Sequence, residues 1–156
     1  MNTQVICILT LLFPLCLLSQ DSETRGWKGI IPLHSSEADV RKKIGMPNGG
    51  PLVQYKLEDV NVDFNFSSGP CNEGWNVPAG AVLEIIVNVK KNRPQLSGLN
   101  LDMRQYEKSS DPELLDISYY VNKKLGITYV IWRAEVNSIY YSPSEDDNNL
   151  KCKTDK

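Results

Sequence analysis

Apolar and polar residues alternate along several short segments of this chain, which is the pattern of half-buried β-strands. From Val60 to Phe66 the even-numbered residues are apolar and the odd-numbered residues are Asn or Asp. Residues 82–89 are almost continuously apolar, as in a central strand. The same patterns predict six short antiparallel strands in total, at 52–56, 60–66, 82–89, 117–121, 127–133 and 136–141. Residues 96–112 show no clear period, and we predict no element there.

A short helix is predicted before these strands. Ser36 begins a Ser-Glu-Ala-Asp segment in which its hydroxyl can accept a hydrogen bond from the amide of Asp39, with acidic residues in the first turn. Val40 and Ile44 lie four residues apart on one face, and Pro47 prevents continuation. The sequence therefore predicts an α+β fold, in which one N-terminal helix packs on an antiparallel sheet of about six short strands.

Two segments of the chain resemble each other. Residues 55–66 and 120–132 each contain a tyrosine, a charged turn and an alternating strand. The likeness has two interpretations, a weak internal repeat or the general similarity of β-hairpins, and we favour the second.

The first nineteen residues differ from the rest of the chain. Residues 1–19 contain no charged side chain, and residues 5–18 are apolar except for Thr10. This run is shorter than the roughly 20 residues that a membrane-spanning helix needs. It predicts a secretory signal peptide that is cleaved after Ser19 and leaves a single domain, 20–156. We therefore expect a secreted or periplasmic protein without a transmembrane segment in its mature chain.

Two alternatives for this segment stay open. The first is a lipoprotein acylated on Cys16, although the preceding Leu15 is larger than the small residue such sites prefer. The second is a retained anchor helix, which Pro14 would interrupt.

The composition is that of a globular protein, and the cysteine positions agree with export. The 156 residues are 41% apolar and 23% charged, with a net charge of -2, which is typical of a globular protein and argues against a nucleic-acid partner. Outside the predicted signal peptide only Cys71 and Cys152 remain, and in an exported chain we expect them to form a disulfide. Two cysteines and one distant histidine lack the spacing of a zinc site, so we predict no metal and no cofactor.

The helix segment resembles a known group of exported domains. Residues 31–47, IPLHSSEADVRKKIGMP, resemble the opening helix of outer-membrane-assembly lipoproteins (SmpA/OmlA) and β-lactamase-inhibitor-like domains. Three further segments, GWKGI at 26–30, GPC at 69–71 and WNVPAG at 75–80, are similar to a family of uncharacterised secreted bacterial proteins. The first resemblance implies a helix-on-sheet fold and a protein-binding module, whereas the second implies no activity.

Few residues suggest catalysis. The single histidine, His34, precedes the helix cap, and no Gly-x-Ser-x-Gly motif accompanies it, so we expect a packing or capping role. Glu84 is an acid within the apolar segment 82–89, and we expect it on a solvent-facing position rather than buried with a perturbed pKa. The acidic run 145–147 is interpreted as solvated.

Binding fits the sequence better than catalysis. The loop 71–80 presents Trp75 and Asn76 close to a predicted disulfide, and adjacent tyrosine pairs on two strands place one ring of each pair on each face. Aromatic rings are frequent at binding hot spots, so our candidate binding residues are Trp75, Asn76, Tyr119 and Tyr141. The alternative for these aromatic residues is structural: Trp75 would fill the end of the core and the tyrosines would cover the sheet edges. We therefore expect a non-catalytic module that binds another envelope or secreted protein. The alternatives are an enzyme or small-ligand binder using residues 67–80 and Glu84, and a structural envelope component.

Overall fold

The structure, a computed structural model, describes residues 24–48, 54–110, 113–114 and 116–153. The predicted signal peptide, with Cys16 and its cleavage point at Ser19, lies outside the described residues, as does the predicted start of the first strand at 52–53. Within the described ranges, no helix has both the length and the apolar character needed to cross a membrane.

A single antiparallel sheet of seven strands dominates the fold, so the prediction of six strands was one short. The strands are β1 (Gln54–Lys56), β2 (Val60–Phe66), β3 (Val82–Val89), β4 (Glu107–Ser110), β5 (Ile117–Asn122), β6 (Ile127–Trp132) and β7 (Glu135–Tyr141). Their order across the sheet is β1-β2-β3-β7-β6-β5-β4. Two meanders, β1–β3 and β4–β7, thus meet where β3 pairs with β7.

The additional strand is β4, which lies at the edge of the sheet beside β5. All four of its residues are exposed, and its sequence, Glu-Lys-Ser-Ser, contains no apolar position. An alternating pattern arises only where one strand face is buried, so this strand left no such signal. The segment before it also contains two short 3-10 helices, at Leu96–Leu99 and Met103–Gln105, where we predicted no element.

The predicted helix is confirmed as α1 (Glu37–Ile44), the one α-helix among the described residues. Ser36 and Asp39 form the expected reciprocal capping box, and the amide of Gly45 closes the last turn on the carbonyl of Arg41. Val40 is completely buried and joins the cluster that packs on β2 and β3, with Ile44 at its margin. The helix therefore packs on the β1–β3 half of one sheet face through Val40 and Ile44.

The hydrophobic core lies mainly on that face of the sheet. Over β1–β3 it contains eight buried residues: Ile30, Val40, Tyr55, Val62, Phe64, Val82, Ile85 and Val87. Over β5–β7 a second cluster contains Tyr106, Ile127, Tyr129, Ile131 and Val136, with the leucines of 96–101 packed against it. A third, smaller cluster of Leu33, Val77 and Ala81 lies at one end of the sheet.

Candidate functional site

The second face of the sheet carries the candidate site. Strand registers place Ile86, Tyr140, Thr128 and Val121 in one row across β3, β7, β6 and β5. None of these four side chains belongs to the three hydrophobic clusters formed by the described residues, and each is partly exposed. This row is therefore largely apolar and partly exposed, and it lies outside the three clusters.

A shallow depression lies near the middle of this face. Its cavity volume is about 190 Å³, and it is lined by Glu84, Tyr119, Thr128, Val130, Tyr140 and Ser142. Thr128 and Val130 come from the same strand, two residues apart, so their side chains point to the same face and form the floor. The two tyrosines come from the strands on either side of that floor.

A larger depression of about 350 Å³ adjoins the first at the end of β5 and β6. It shares Thr128 and Ser142 with the smaller one and extends to Trp75, Asn148 and Lys151. We call the two depressions together the open-face groove. The groove thus joins the centre of the sheet to the loop that contains Cys71 and Trp75.

A disulfide and backbone hydrogen bonds fix that loop to the C-terminal segment. Cys71 and Cys152 form a disulfide across 81 residues of sequence. The amide of Cys152 donates to the carbonyl of Gly74 at 2.9 Å, and the amide of Asn76 donates to the carbonyl of Leu150 at 2.7 Å. The loop is therefore held on both sides of Trp75, which reduces the ordering entropy that binding there would cost.

The four predicted binding residues have different positions. Trp75 is half-buried against the third cluster, lines the groove, and lies beneath the ammonium of Lys151, 5.5 Å from the ring centre. Tyr119 lines the smaller depression. Asn76 is exposed but does not line the groove. Tyr141 packs against the core on the opposite face.

Tyr140 was not among the predicted binding residues. It lines the smaller depression together with Tyr119, whereas the predicted Tyr141 does not. Tyr140 pairs with Thr128 and Ile86, whereas Tyr141 pairs with the core residues Ile127 and Ile85. A bulge in this part of the sheet, between Val130 and Ile131, changes the register with β7. Only the pairing of the strands decides which of the two adjacent tyrosines faces the core, because no local feature of the sequence distinguishes them.

Glu84 lies on the open face, at one end of the smaller depression. It is half-exposed, and its Oε2 accepts a hydrogen bond from Nδ2 of Asn65 at 2.8 Å. On the same face the Asp63 carboxylate accepts from Nε2 of Gln54 at 2.8 Å and from Nδ2 of Asn88 at 3.2 Å. Both acids therefore have neutral amides as hydrogen-bond donors, and no ion pair within the described chain involves either of them.

His34 takes part in a polar cluster at the end of the sheet. Its Nε2 lies 2.7 Å from Oδ1 of Asp147, while the guanidinium of Arg25 donates to Oδ2 of the same carboxylate. The hydroxyl of Ser144 also donates to Oδ2, at 3.0 Å. In a hydrolytic triad the serine and the acid contact opposite nitrogens of the histidine, whereas here the serine contacts the acid. This cluster joins chain segments and does not present an activated nucleophile.

Asp147 corrects the expectation that residues 145–147 are all solvated. They begin a 3-10 helix, Glu145–Leu150, and Asp147 is only 2% exposed. Burial by itself raises the pKa of Asp147, but hydrogen bonds from Arg25, His34 and Ser144 outweigh it and hold the pKa at about 2. Elsewhere, no three His, Cys, Asp or Glu side chains of the described chain converge in a way that would hold a metal ion.

Comparison with known proteins supports the fold alone. The sequence matches no protein-family model, and no curated protein is significantly similar to it. A solved structure of a DUF4309 family protein (YjgB) from Bacillus subtilis subsp. subtilis str. 168 is similar, with a TM-score of 0.52 and 14% sequence identity. The similarity covers 75% of this chain and 84% of that one. The resemblance to outer-membrane-assembly lipoproteins stays a prediction, because no comparison tests it.

Proposed function

We propose that this protein is an exported, non-catalytic α+β module that binds another protein of the cell envelope or extracellular space through the open-face groove. The observation that carries the proposal is the partly exposed row of Ile86, Tyr140, Thr128 and Val121 on the second sheet face, which lies outside every hydrophobic cluster of the described residues. Contiguous apolar surface with aromatic side chains and a polar margin is characteristic of protein interaction sites.

The groove is also well supported by the surrounding structure. Its floor belongs to a central strand, and one end is fixed by the disulfide between Cys71 and Cys152. A pre-ordered surface loses little conformational entropy on binding, which favours affinity. The disulfide further supports export, because such bonds persist mainly outside the cytosol.

Affinity capture tests the proposal. The full chain with a C-terminal tag would be used as bait in a native envelope and secreted extract, and bound proteins identified by mass spectrometry. We expect one near-stoichiometric partner that Tyr119→Ser and Trp75→Ala each reduce at least tenfold, because both residues line the groove. Met46→Ser is the matched control, since Met46 is 66% exposed but lies outside the groove.

Two outcomes of this experiment would contradict the proposal. A folded bait that captures no partner argues against the binding module. A partner that all three variants retain equally argues against the groove as its site. Circular dichroism of each variant establishes that the bait is folded.

A further inference from the structure

We propose that the smaller depression of the open-face groove receives a lysine or arginine side chain of the partner protein, held beside Tyr119 and Tyr140 with its charge toward Glu84. This inference rests on the proposed function and specifies the chemistry of the partner.

The strand registers give the depression the form of a slot. Tyr140 on β7 pairs with Thr128, and Tyr119 on β5 pairs with Val130, so the two tyrosines stand diagonally across β6. The axes of β5 and β7 are about 10 Å apart, because two strand spacings separate them. The floor residues between them, Thr128 and Val130, are small. Val130 is only 8% exposed, so the open part of the floor is Thr128 on β6 and Ser142 directly after β7, and it leads across β7 to Glu84 on β3. A long, narrow side chain can therefore lie on this floor beside the two tyrosines, with its end toward Glu84.

The size of the slot favours a side chain over a separate small molecule. Its volume is about 190 Å³. Pockets for drug-sized ligands usually start at about 300 Å³ and enclose most of the ligand. The slot is open along the groove, which leads to Trp75 through Thr128 and Ser142, so the rest of a protein segment has a surface to continue on.

The charges of the slot favour a cation. Glu84 is its only charged lining residue among those described, and no lysine or arginine lines it. The Glu84 carboxylate has an amide donor, Asn65, but no cationic partner, and the neighbouring Asp63 adds a second negative charge to the same face. Tyrosine rings attract cations through their faces, and the methylene stem of lysine or arginine packs well on apolar surface. An apolar side chain would instead displace water from the Glu84 carboxylate without offering a hydrogen bond or a charge in its place, which is unfavourable.

Titration with short peptides tests this inference. The probes are acetylated, amidated trilysine and triarginine, added to the isotope-labelled protein and followed by amide NMR shifts. We expect shifts at Thr128, Tyr140 and Ser142, and dissociation constants at least fivefold weaker in Glu84→Gln. Trilysine with acetylated side chains should give no shift at these positions. The matched control is Glu58→Gln, which removes the same charge from an exposed turn residue and should leave binding unchanged.

The outcomes that would overturn the cation slot differ from those that would overturn the proposed binding function. Equal binding to the wild type and to Glu84→Gln, shifts confined to other surfaces, or no binding by either peptide would each overturn the cation slot. Protein capture that needs Tyr119 but not Glu84 would leave the binding module in place and overturn only the slot. Peptide binding at the slot without any captured protein would leave the slot in place and count against the module.

Discussion

At the scale of single residues, Asp147 connects two distant parts of the chain. Arg25, 122 positions earlier, donates to its carboxylate, as does Ser144 nearby, and the carboxylate is almost completely buried. A buried carboxylate is stable only when cations and hydrogen-bond donors compensate for the lost water. Here the compensation is sufficient to hold the pKa of Asp147 at about 2, below the ordinary value of 3.8.

This lowered pKa predicts a defined pH dependence of stability. Because the folded carboxyl ionises at lower pH than the unfolded one, its contribution is complete above about pH 4 and is lost as the pH falls toward 2, an amount of about 2 kcal/mol. We expect Asp147→Asn to lower the free energy of unfolding at pH 7 by about 2 kcal/mol, the amount that the lowered pKa represents, and to remove this acid-dependent loss. Urea unfolding between pH 2 and 7 measures both effects. Asp146→Asn, at an exposed position, is the control, and equal curves for the two variants would contradict the prediction.

At the scale of elements, the turn between β5 and β6 shapes the larger depression. Gly126 has a positive φ of 67°, and a Cβ at this position would lie 2.1 Å from the carbonyl oxygen of Ser142. The amide of Ser142 donates to the carbonyl of Gly126 at 2.8 Å, so the turn and the chain after β7 are in direct backbone contact. Only glycine combines that φ with such a close approach.

Substitution of this glycine is therefore expected to disturb both stability and groove. We predict that Gly126→Ala lowers the free energy of unfolding by about 3 kcal/mol, since the side chain adds a backbone clash to an unfavourable φ. Gly98→Ala is the matched control, because no atom lies within 4 Å of its Cβ position and its φ is not in the left-handed region. Thermal unfolding of the two variants makes the comparison, and similar melting temperatures would argue against the close contact.

At the scale of the whole molecule, the two meanders meet at β3 and β7, near the middle of the sheet. This order places the hairpins of 55–66 and 120–132 on opposite sides of the β3–β7 pair. The groove crosses this junction, since Glu84 of β3 and Tyr140 of β7 line the same depression. The disulfide then fixes the C-terminal segment to the loop between β2 and β3.

The disulfide is expected to contribute strongly to global stability. It closes a loop of 81 residues, which corresponds to about 4 kcal/mol when the loss of unfolded-chain entropy is the main effect. We predict that the double variant Cys71→Ser with Cys152→Ser loses about this amount in urea unfolding. Wild type treated with a reductant should match it. A midpoint unchanged by either treatment would show that the bond adds little to the stability of the fold.

Much of the sheet was predictable because its patterns are local. Alternation in 60–66 and the apolar run in 82–89 identified β2 and β3, and the Ser36–Asp39 pair identified the start of α1. The strand β4 was not predicted because all its residues are exposed, and an exposed edge strand has no alternation of apolar and polar residues. The cysteines were proposed as a pair by elimination, and the fold brings them together.

The candidate site was only partly predictable. The sequence indicated that Trp75 and Tyr119 were available for binding, and both line the groove. It did not show that Tyr140 rather than Tyr141 shares their face, or that Asp147 is buried beside Arg25. The sequence by itself determined the helix and the six strands that have a buried face, because periodicity and capping act within a few residues. Only the tertiary structure decided which side chains meet, because strand register and contacts across more than 100 residues depend on the whole sheet.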